Sequence, residues 1–169
     1  MKRLLIVWHS RTGAACQMAA AAARGAATAA ALLEQADDLA VDLRRAGDVQ
    51  ANEVLAGDGF LFCAPENLAS LSGEMKEFFD RCYYDVLDRI PGRPYACLVS
   101  AGSDGAGAAR QVERICTGWR LRAVAPALIV NLGAQTPSQI AAPKTVAPAD
   151  LTRCEEAGGL LAGLLLTAG

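Results

Sequence analysis

The sequence predicts an α/β protein in which helices cover both faces of a parallel sheet. Short apolar runs alternate with helical patterns along the chain, which is typical of βαβ units. The length of 169 residues and the hydrophobic content of 53% suit one domain with a full core. We therefore expect a single domain over residues 1–169, built as a three-layer, doubly wound sheet of five parallel strands in the order 2-1-3-4-5.

The first part of the chain contains strand one and the helix that follows it. The strand is predicted over 4–8, and the alanine-rich stretch after it predicts a helix over 13–24 that ends at Gly25. Residues 28–33 are the candidate for strand two, although their alanines suit a continued helix as well, and a short helix is possible over 38–45. The edge of the sheet beside strand one is therefore expected to be reduced.

The rest of the chain continues the alternation. Its expected elements are a strand over 60–64, a helix over 73–84, a strand over 95–100, a helix ending near 117 and a strand over 127–132. Prolines and scattered polar residues predict an irregular crossing over 133–149 before a closing helix. The apolar run of that helix, 157–168, is too short to span a membrane.

Composition excludes several classes of function. The net charge of -2, from 16 basic and 18 acidic residues, provides no basic stripe for nucleic acid or a membrane surface. The six cysteines form no C-x-x-C or zinc-ligand pair, so we expect reduced core residues and no metal site. The apolar run before His9 is too short for a signal peptide, and a cytoplasmic location is expected.

The connection after strand one, residues 9–15, has the composition of a phosphate site. Backbone N–H groups at a helix start, together with the Ser10 and Thr12 hydroxyls, form a nest of positive potential. The segment lacks the lysine of a triphosphate loop and the glycines of a dinucleotide turn, so it best suits one terminal phosphate. The alternative is an ordinary strand-to-helix turn in which Thr12 caps the helix.

Two further loops have an unusual composition. Residues 64–73 form a long connection after strand three, and residues 101–107 form a loop of small residues after strand four. In the predicted strand order these loops and residues 9–15 converge on one crevice at the carboxyl ends of the strands. A flat ligand with a phosphate tail would fit there.

These segments resemble the flavodoxin-like family, and within it the flavodoxin-type NAD(P)H-dependent FMN and quinone reductases of the tryptophan-repressor-binding-protein group. Residues 8–13 are similar to the family's S-x-T-G phosphate loop. Residues 64–73 and 75–81 are similar to its P-x-x-x-x-S-x-S-G loop and K-x-F-x-D-R helix. Together with residues 101–105, the likeness covers roughly residues 3–132.

The resemblance implies an FMN site formed by three loops. The residues implied for the phosphate are Ser10, Arg11, Thr12, Gly13, Ala14 and Ala15. Those implied for the isoalloxazine ring are Pro65, Glu66, Asn67, Leu68 and Ala69 on one side, and Ala101, Gly102, Ser103, Asp104 and Gly105 on the other. Relatives commonly place an aromatic residue in the second loop, whereas this chain has Asn67 and Leu68 there, so ring contact would fall to Leu68 or to an aromatic elsewhere.

The implied activity is transfer of reducing equivalents from NAD(P)H through FMN to a quinone, free flavin or similar small acceptor. Because the flavin itself carries the chemistry, no catalytic side chain is expected. Family likeness also suggests a homo-dimer or homo-tetramer. Two alternatives remain, namely an electron-carrying flavodoxin and a flavin-free scaffold of the same fold.

Three residues in these loops each allow two interpretations. His9, the only histidine, could donate a proton or contact a phosphate, or it could pack at the strand end. Arg11 could add charge to an anion site or point to solvent, and Glu66 could oppose a flavin ring or be solvated.

Overall fold

The computed structural model describes residues 1–167 and contains seven strands and six α-helices within them. The strands are β1 (Lys2–Trp8), β2 (Leu39–Arg45), β3 (Gly59–Asn67), β4 (Ser70–Leu71), β5 (Pro94–Ala101), β6 (Arg122–Ala123) and β7 (Leu128–Asn131). The helices are α1 (Ala14–Leu32), α2 (Ala51–Ala56), α3 (Gly73–Val86), α4 (Ala106–Gly118), α5 (Pro137–Ala141) and α6 (Pro148–Thr167). Residue 168, the end of the apolar run noted above, and residue 169 lie outside this range.

The parallel strands follow the predicted order. Hydrogen bonding places them as β2-β1-β3-β5, with β6 and β7 both paired to β5 along its far edge. The fifth strand is therefore divided in two, and residues 124–127 form the interruption. Pro126 lies in this interruption and has no N–H to donate to a ladder, which favours a break at the edge of a sheet. The doubly wound α/β fold is confirmed.

Each face of the sheet has its own hydrophobic core. Leu4 and Ile6 of β1 face α1 and α6, whereas Leu5 and Val7 face α2, α3 and α4, and all four side chains are buried. Phe62 lies among several aromatic rings of the second core, including Trp119. This alternation along a strand buried on both faces produces the three layers.

The prediction that α1 ends at Gly25 is wrong, and so is the strand predicted over 28–33. The helix continues to Leu32 because the alanine run has high helix propensity. Gly25 serves packing instead, since a Cβ there would lie 1.9 Å from the Glu155 carbonyl oxygen of α6. Gly158 of α6 is confined in the same way by the Ala22 carbonyl oxygen. These glycines let the two helix backbones approach closely.

The short helix predicted over 38–45 is also wrong, because these residues form β2. Its pairing with β1 runs from Lys2 opposite Leu39 to Trp8 opposite Arg45, so the sheet edge is not reduced. Leu39 and Val41 pack on the core of α1 and α6. Apolar residues at alternate positions of this segment carry the period-two signal of a strand.

The connection over 64–73 is a hairpin rather than an open loop. Strand β3 extends to Asn67 and turns back antiparallel into β4, with Asn67 opposite Ser70. Leu68 and Ala69 at the turn have φ values of 52° and 58°. Two left-handed residues in succession are typical of a type I′ turn, which usually contains Asn or Gly, so this turn carries backbone strain.

Within residues 1–167, no helix combines the length and apolar character needed to cross a membrane. The six cysteines all lie in this range, and none forms a disulfide. Five of them are buried, in agreement with the prediction of reduced core residues.

Candidate functional site

A cleft of about 420 Å³ opens at the carboxyl ends of β1, β3 and β5. This volume is in the range of small-molecule and cofactor sites. Its lining comes from the three predicted loops and from one further segment. The lining residues are Arg11, Thr12, Pro65, Glu66, Asn67, Leu68, Ser100, Ala101, Gly102, Leu132, Ala134, Ile140 and Ala141.

The loop after β1 presents unused donors at the start of α1. Ser10 Oγ accepts a hydrogen bond of 3.0 Å from the Gly13 amide, which leaves its O–H free to donate. Gly13 is the N-cap, with a φ of 96°. The amides of Thr12, Ala14 and Ala15 have no protein acceptor within residues 1–167. Thr12 does not cap α1, so the alternative of an ordinary Thr-capped turn is not supported.

A strap formed by residues 142–146 braces this loop. The Lys144 amide donates to the Thr12 carbonyl at 2.7 Å. Gln17 Nε2 donates to Gly13 O at 3.0 Å and to Lys144 O at 2.7 Å, and its Oε1 accepts from the Val146 amide at 3.1 Å. The sequence predicts only an irregular crossing here, without this bracing role. A polar Gln17 within an alanine-rich helix was the available signal.

The hairpin is fixed to the start of α4. Glu66 Oε1 accepts from the Gly105 amide at 2.9 Å, and its Oε2 accepts from the Ala108 amide at 3.1 Å. Gln111 Oε1 accepts from the Leu71 amide at 2.6 Å. A Cβ at Gly107 would lie 2.1 Å from the Ala69 carbonyl oxygen. The Glu66 carboxylate is thus bound by amides at the start of α4. It is neither purely solvated nor directed only at a flavin ring, the two interpretations that the sequence allowed.

The loop after β5 contributes less of its length to the cleft than predicted. Ala101 and Gly102 line the cleft, whereas Ser103 and Asp104 are exposed and do not. The Ser103 carbonyl accepts from Asn131 Nδ2 at 2.6 Å, and Asp104 Oδ1 accepts from the Ala106 amide at 3.3 Å. Gly105 is the N-cap of α4, with a φ of 92°. These residues shape the loop rather than the cleft surface.

The structure therefore divides the predicted site residues into two groups. Those that line the cleft are Arg11, Thr12, Pro65, Glu66, Asn67, Leu68, Ala101 and Gly102. Those that do not are Ser10, Gly13, Ala14, Ala15, Ala69, Ser103, Asp104 and Gly105. Four of the latter belong to the amide-rich turn at the start of α1.

The fourth wall of the cleft was not predicted. Leu132 and Ala134 follow β7, and Ile140 and Ala141 belong to α5. Helix α5 starts with a capping box, in which Thr136 and Gln139 exchange side-chain-to-backbone hydrogen bonds. That T-P-x-Q pattern was the signal for a helix in this segment. Ser100, the last buried residue before the small-residue loop, also lines the cleft.

His9 faces away from the cleft lining, toward the start of α3. Its Nδ1 lies 2.8 Å from Ser72 Oγ, and its Nε2 lies 3.4 Å from Glu74 Oε2. Burial lowers the pKa of His9 below its ordinary value, more strongly than Glu74 raises it, and Arg11 and Arg45 lower it further. Neutral His9 therefore connects the loop after β1 with the segment that follows the hairpin.

The residues present fit a planar ligand that ends in a phosphate. Thr12 lines one end of the cleft, and its amide and those of Ala14 and Ala15 at the adjoining start of α1 have no protein acceptor within residues 1–167, so an anion at this end would be stabilised by the helix start. Two exposed apolar side chains, Leu68 of the hairpin turn and Ile140 of α5, lie at its rim. They offer apolar contact to a ring without aromatic stacking.

This sheet order and this amide-rich turn beside a switch-point cleft define a flavodoxin-like protein. A family model for NADPH-dependent FMN reductases matches residues 7–136, and the chain belongs to that family. FMN is the cofactor that this membership assigns to it.

The chain is also similar to individual relatives. A flavodoxin from Aquifex aeolicus is 31% identical over 107 residues, which are 63% of this chain and 54% of the relative, so the match spans about half of that protein. The crystal structure of a WrbA-like flavodoxin from Agrobacterium tumefaciens superposes with a TM-score of 0.76 at 15% identity, covering 100% of both chains. An oxidoreductase from Corynebacterium diphtheriae gives 0.76 at 19% identity, covering 100% of this chain and 99% of the other. At such identities the two structures show the common fold.

Proposed function

We propose that the protein is an FMN-dependent oxidoreductase that takes reducing equivalents from NAD(P)H and passes them to a quinone, free flavin or similar small acceptor. Its family supports the flavin chemistry. The observation that carries the proposal is the cleft at the switch point, with donors that lack a protein acceptor at the start of α1. Hydride acceptance and donation are supplied by FMN when it is bound.

In this proposal the loop after β1 holds the phosphate. The Ser10 and Thr12 hydroxyls and the amides of Ala14 and Ala15 donate to it, and Arg11 adds a positive charge. The strap behind the loop fixes these donors before the ligand arrives, because Gln17 holds both segments. Such preorganisation reduces the ordering cost of binding.

The ring would lie between the hairpin and the loop after β5. Pro65, Asn67 and Leu68 contribute one wall and Ala101 and Gly102 the other. We assign no proton transfer to a side chain of this chain. Its residues bind the cofactor, orient it and shield one part of it from water at the apolar rim.

An electron-carrying flavodoxin is the second candidate, and the Aquifex aeolicus relative favours it. Carriers that dock to redox proteins usually use a strong field of one sign, and the net charge of -2 provides little steering. The missing aromatic at the hairpin turn is the argument for a flavin-free scaffold. Membership of an FMN reductase family favours the enzyme over both.

One experiment separates the three. FMN is added to purified protein while its fluorescence is followed, and the complex is then mixed with NADH or NADPH and a quinone. Quenching with rapid turnover supports the enzyme, quenching without turnover supports the carrier, and unchanged fluorescence with no retained FMN supports the scaffold. A cytoplasmic location and a dimer or tetramer remain proposals, to be tested by cell fractionation and analytical ultracentrifugation.

A further inference from the structure

Glu66 is one of only two formally charged residues among the described residues that line the cleft, and Arg11 is the other. Arg11 belongs to the phosphate end. Glu66 belongs to the wall formed by the hairpin, and no basic side chain within residues 1–167 forms an ion pair with it. The cleft thus has a positive group at one end and a negative group along its proposed ring-binding wall.

The two oxygens of Glu66 occupy the positive end of α4. They accept from the Gly105 and Ala108 amides at 2.9 and 3.1 Å. A carboxylate at this position offsets the partial positive charge of a helix start. Two amides at the start of α4 are therefore directed at Glu66, and the Ala106 amide donates to Asp104, so these three donors are already used within the protein.

The consequence concerns the reduction of FMN, so it rests on the proposed function. Hydride transfer brings two electrons and one proton to the ring, which becomes more negative by one charge, while NAD(P)H leaves as NAD(P)⁺. A fixed negative charge near the ring makes this gain of charge less favourable. We propose that the negative charge of Glu66 lowers the reduction potential of bound FMN.

The test compares three variants as FMN complexes. Glu66→Gln removes the charge with little change of shape, whereas Glu66→Asp keeps the charge but is too short to hold both amides. Glu113→Gln removes one charge from an exposed position of the same helix, outside the cleft lining, and serves as the matched control. Thermal unfolding of each variant measures damage to the fold.

The readout is the midpoint potential of bound FMN, measured by equilibration with redox dyes. For Glu66→Gln we expect the ratio of reduced to oxidised flavin at a fixed potential to rise roughly 10-fold, as for one charge screened by a protein interior. This is about 30 mV for a two-electron couple. Glu66→Asp and Glu113→Gln should remain close to the parent protein.

Two results would overturn the inference. The first is a midpoint potential of bound FMN that does not change in Glu66→Gln. The second is a shift in Glu66→Asp as large as that in Glu66→Gln, which would trace the effect to lost hydrogen bonds and not to charge. If the parent protein fails to bind FMN at all, the proposed function falls and this inference falls with it. Bound FMN with an unmoved potential contradicts this inference alone.

Discussion

The Nδ1 atom of His9 lies 2.8 Å from the hydroxyl oxygen of Ser72, and this hydrogen bond joins the loop after β1 to the segment that follows the hairpin. On the other side of the ring Nε2 faces Glu74, whose carboxylate only accepts. Nε2 therefore carries the proton, and Nδ1 accepts from Ser72. Because Ser72 is fully buried, protonation of Nδ1 would leave the Ser72 hydroxyl proton in need of another acceptor.

The first prediction is that this arrangement makes stability depend on pH. The pKa of His9 is lower in the folded protein than its ordinary value of 6.5. Below pH 6.5 the unfolded chain therefore binds more protons at this position, so the contribution of His9 is complete above pH 6.5 and is lost as the pH falls through the lowered pKa. Urea unfolding of the apoprotein between pH 7.5 and 5 should show a decreasing free energy of unfolding.

The control for this prediction is His9→Asn. The amide oxygen can still accept from Ser72, but the side chain does not titrate. The acidic groups titrate in both proteins, so the free energy of unfolding of His9→Asn should still depend on pH. The dependence should be weaker than in the parent protein over the same interval, because the contribution of His9 is absent. Parallel pH profiles for the two proteins would contradict the assignment to His9.

The general architecture was predictable because its signals are local. Buried strands of a parallel sheet appear as short apolar runs, and the residues at their carboxyl ends are read directly from the chain. Strand β2 carries a local signal as well, because Leu39, Val41 and Leu43 alternate with more polar residues. The alanine run before it resembles a strand candidate only in its apolar character, and its helix propensity decides the outcome.

Other features depend on partners that are far apart in sequence. Gly25 has the local pattern of a helix end, and only the position of Glu155 shows that it serves close packing. Glu66 is bound by amides 39 and 42 residues later, and Gln17 holds Lys144 across 127 residues. Periodicity and capping rules do not contain such information. The bracing strap and the contact of the Glu66 carboxylate with the start of α4 are therefore visible only in the three-dimensional structure.

Thr12→Val tests the phosphate end of the cleft. The change replaces a hydroxyl by a methyl group of similar volume, and we expect it to weaken FMN binding by about 1.5–3 kcal/mol, the value of a hydrogen bond to a charged group. Fluorescence titration measures the dissociation constant. Thr117→Val, at an exposed position of α4, is the control and should leave the affinity unchanged. An unaltered dissociation constant for Thr12→Val would remove this hydroxyl from the site.

Gly25→Ala tests the close approach of α1 and α6. The added Cβ would lie 1.9 Å from the Glu155 carbonyl oxygen, and backbone atoms must move to admit it. Overpacking of this kind costs about 1–3 kcal/mol, more than the helix propensity of alanine returns. Chemical denaturation should show the loss.

Gly163→Ala is the matched control, because within residues 1–167 no atom outside its own stretch of helix lies within 4 Å of its added Cβ. In the interior of α6 this change should stabilise the protein by up to about 1 kcal/mol. Equal effects of the two substitutions would mean that the helix contact around Gly25 is looser than described.

Leu68→Trp tests whether the hairpin turn contacts the flavin. The Leu68 side chain is fully exposed at the rim of the cleft, so a larger ring can be accommodated without repacking the core. An aromatic partner adds about 0.5–1.5 kcal/mol to a ring contact, and FMN should bind roughly 2- to 10-fold more tightly, with stronger quenching of its fluorescence. The same change at Leu160, a partly exposed position of α6, should alter neither quantity. If the two variants behave alike, the turn does not reach the ring, and the apolar contact must come from the α5 side of the cleft.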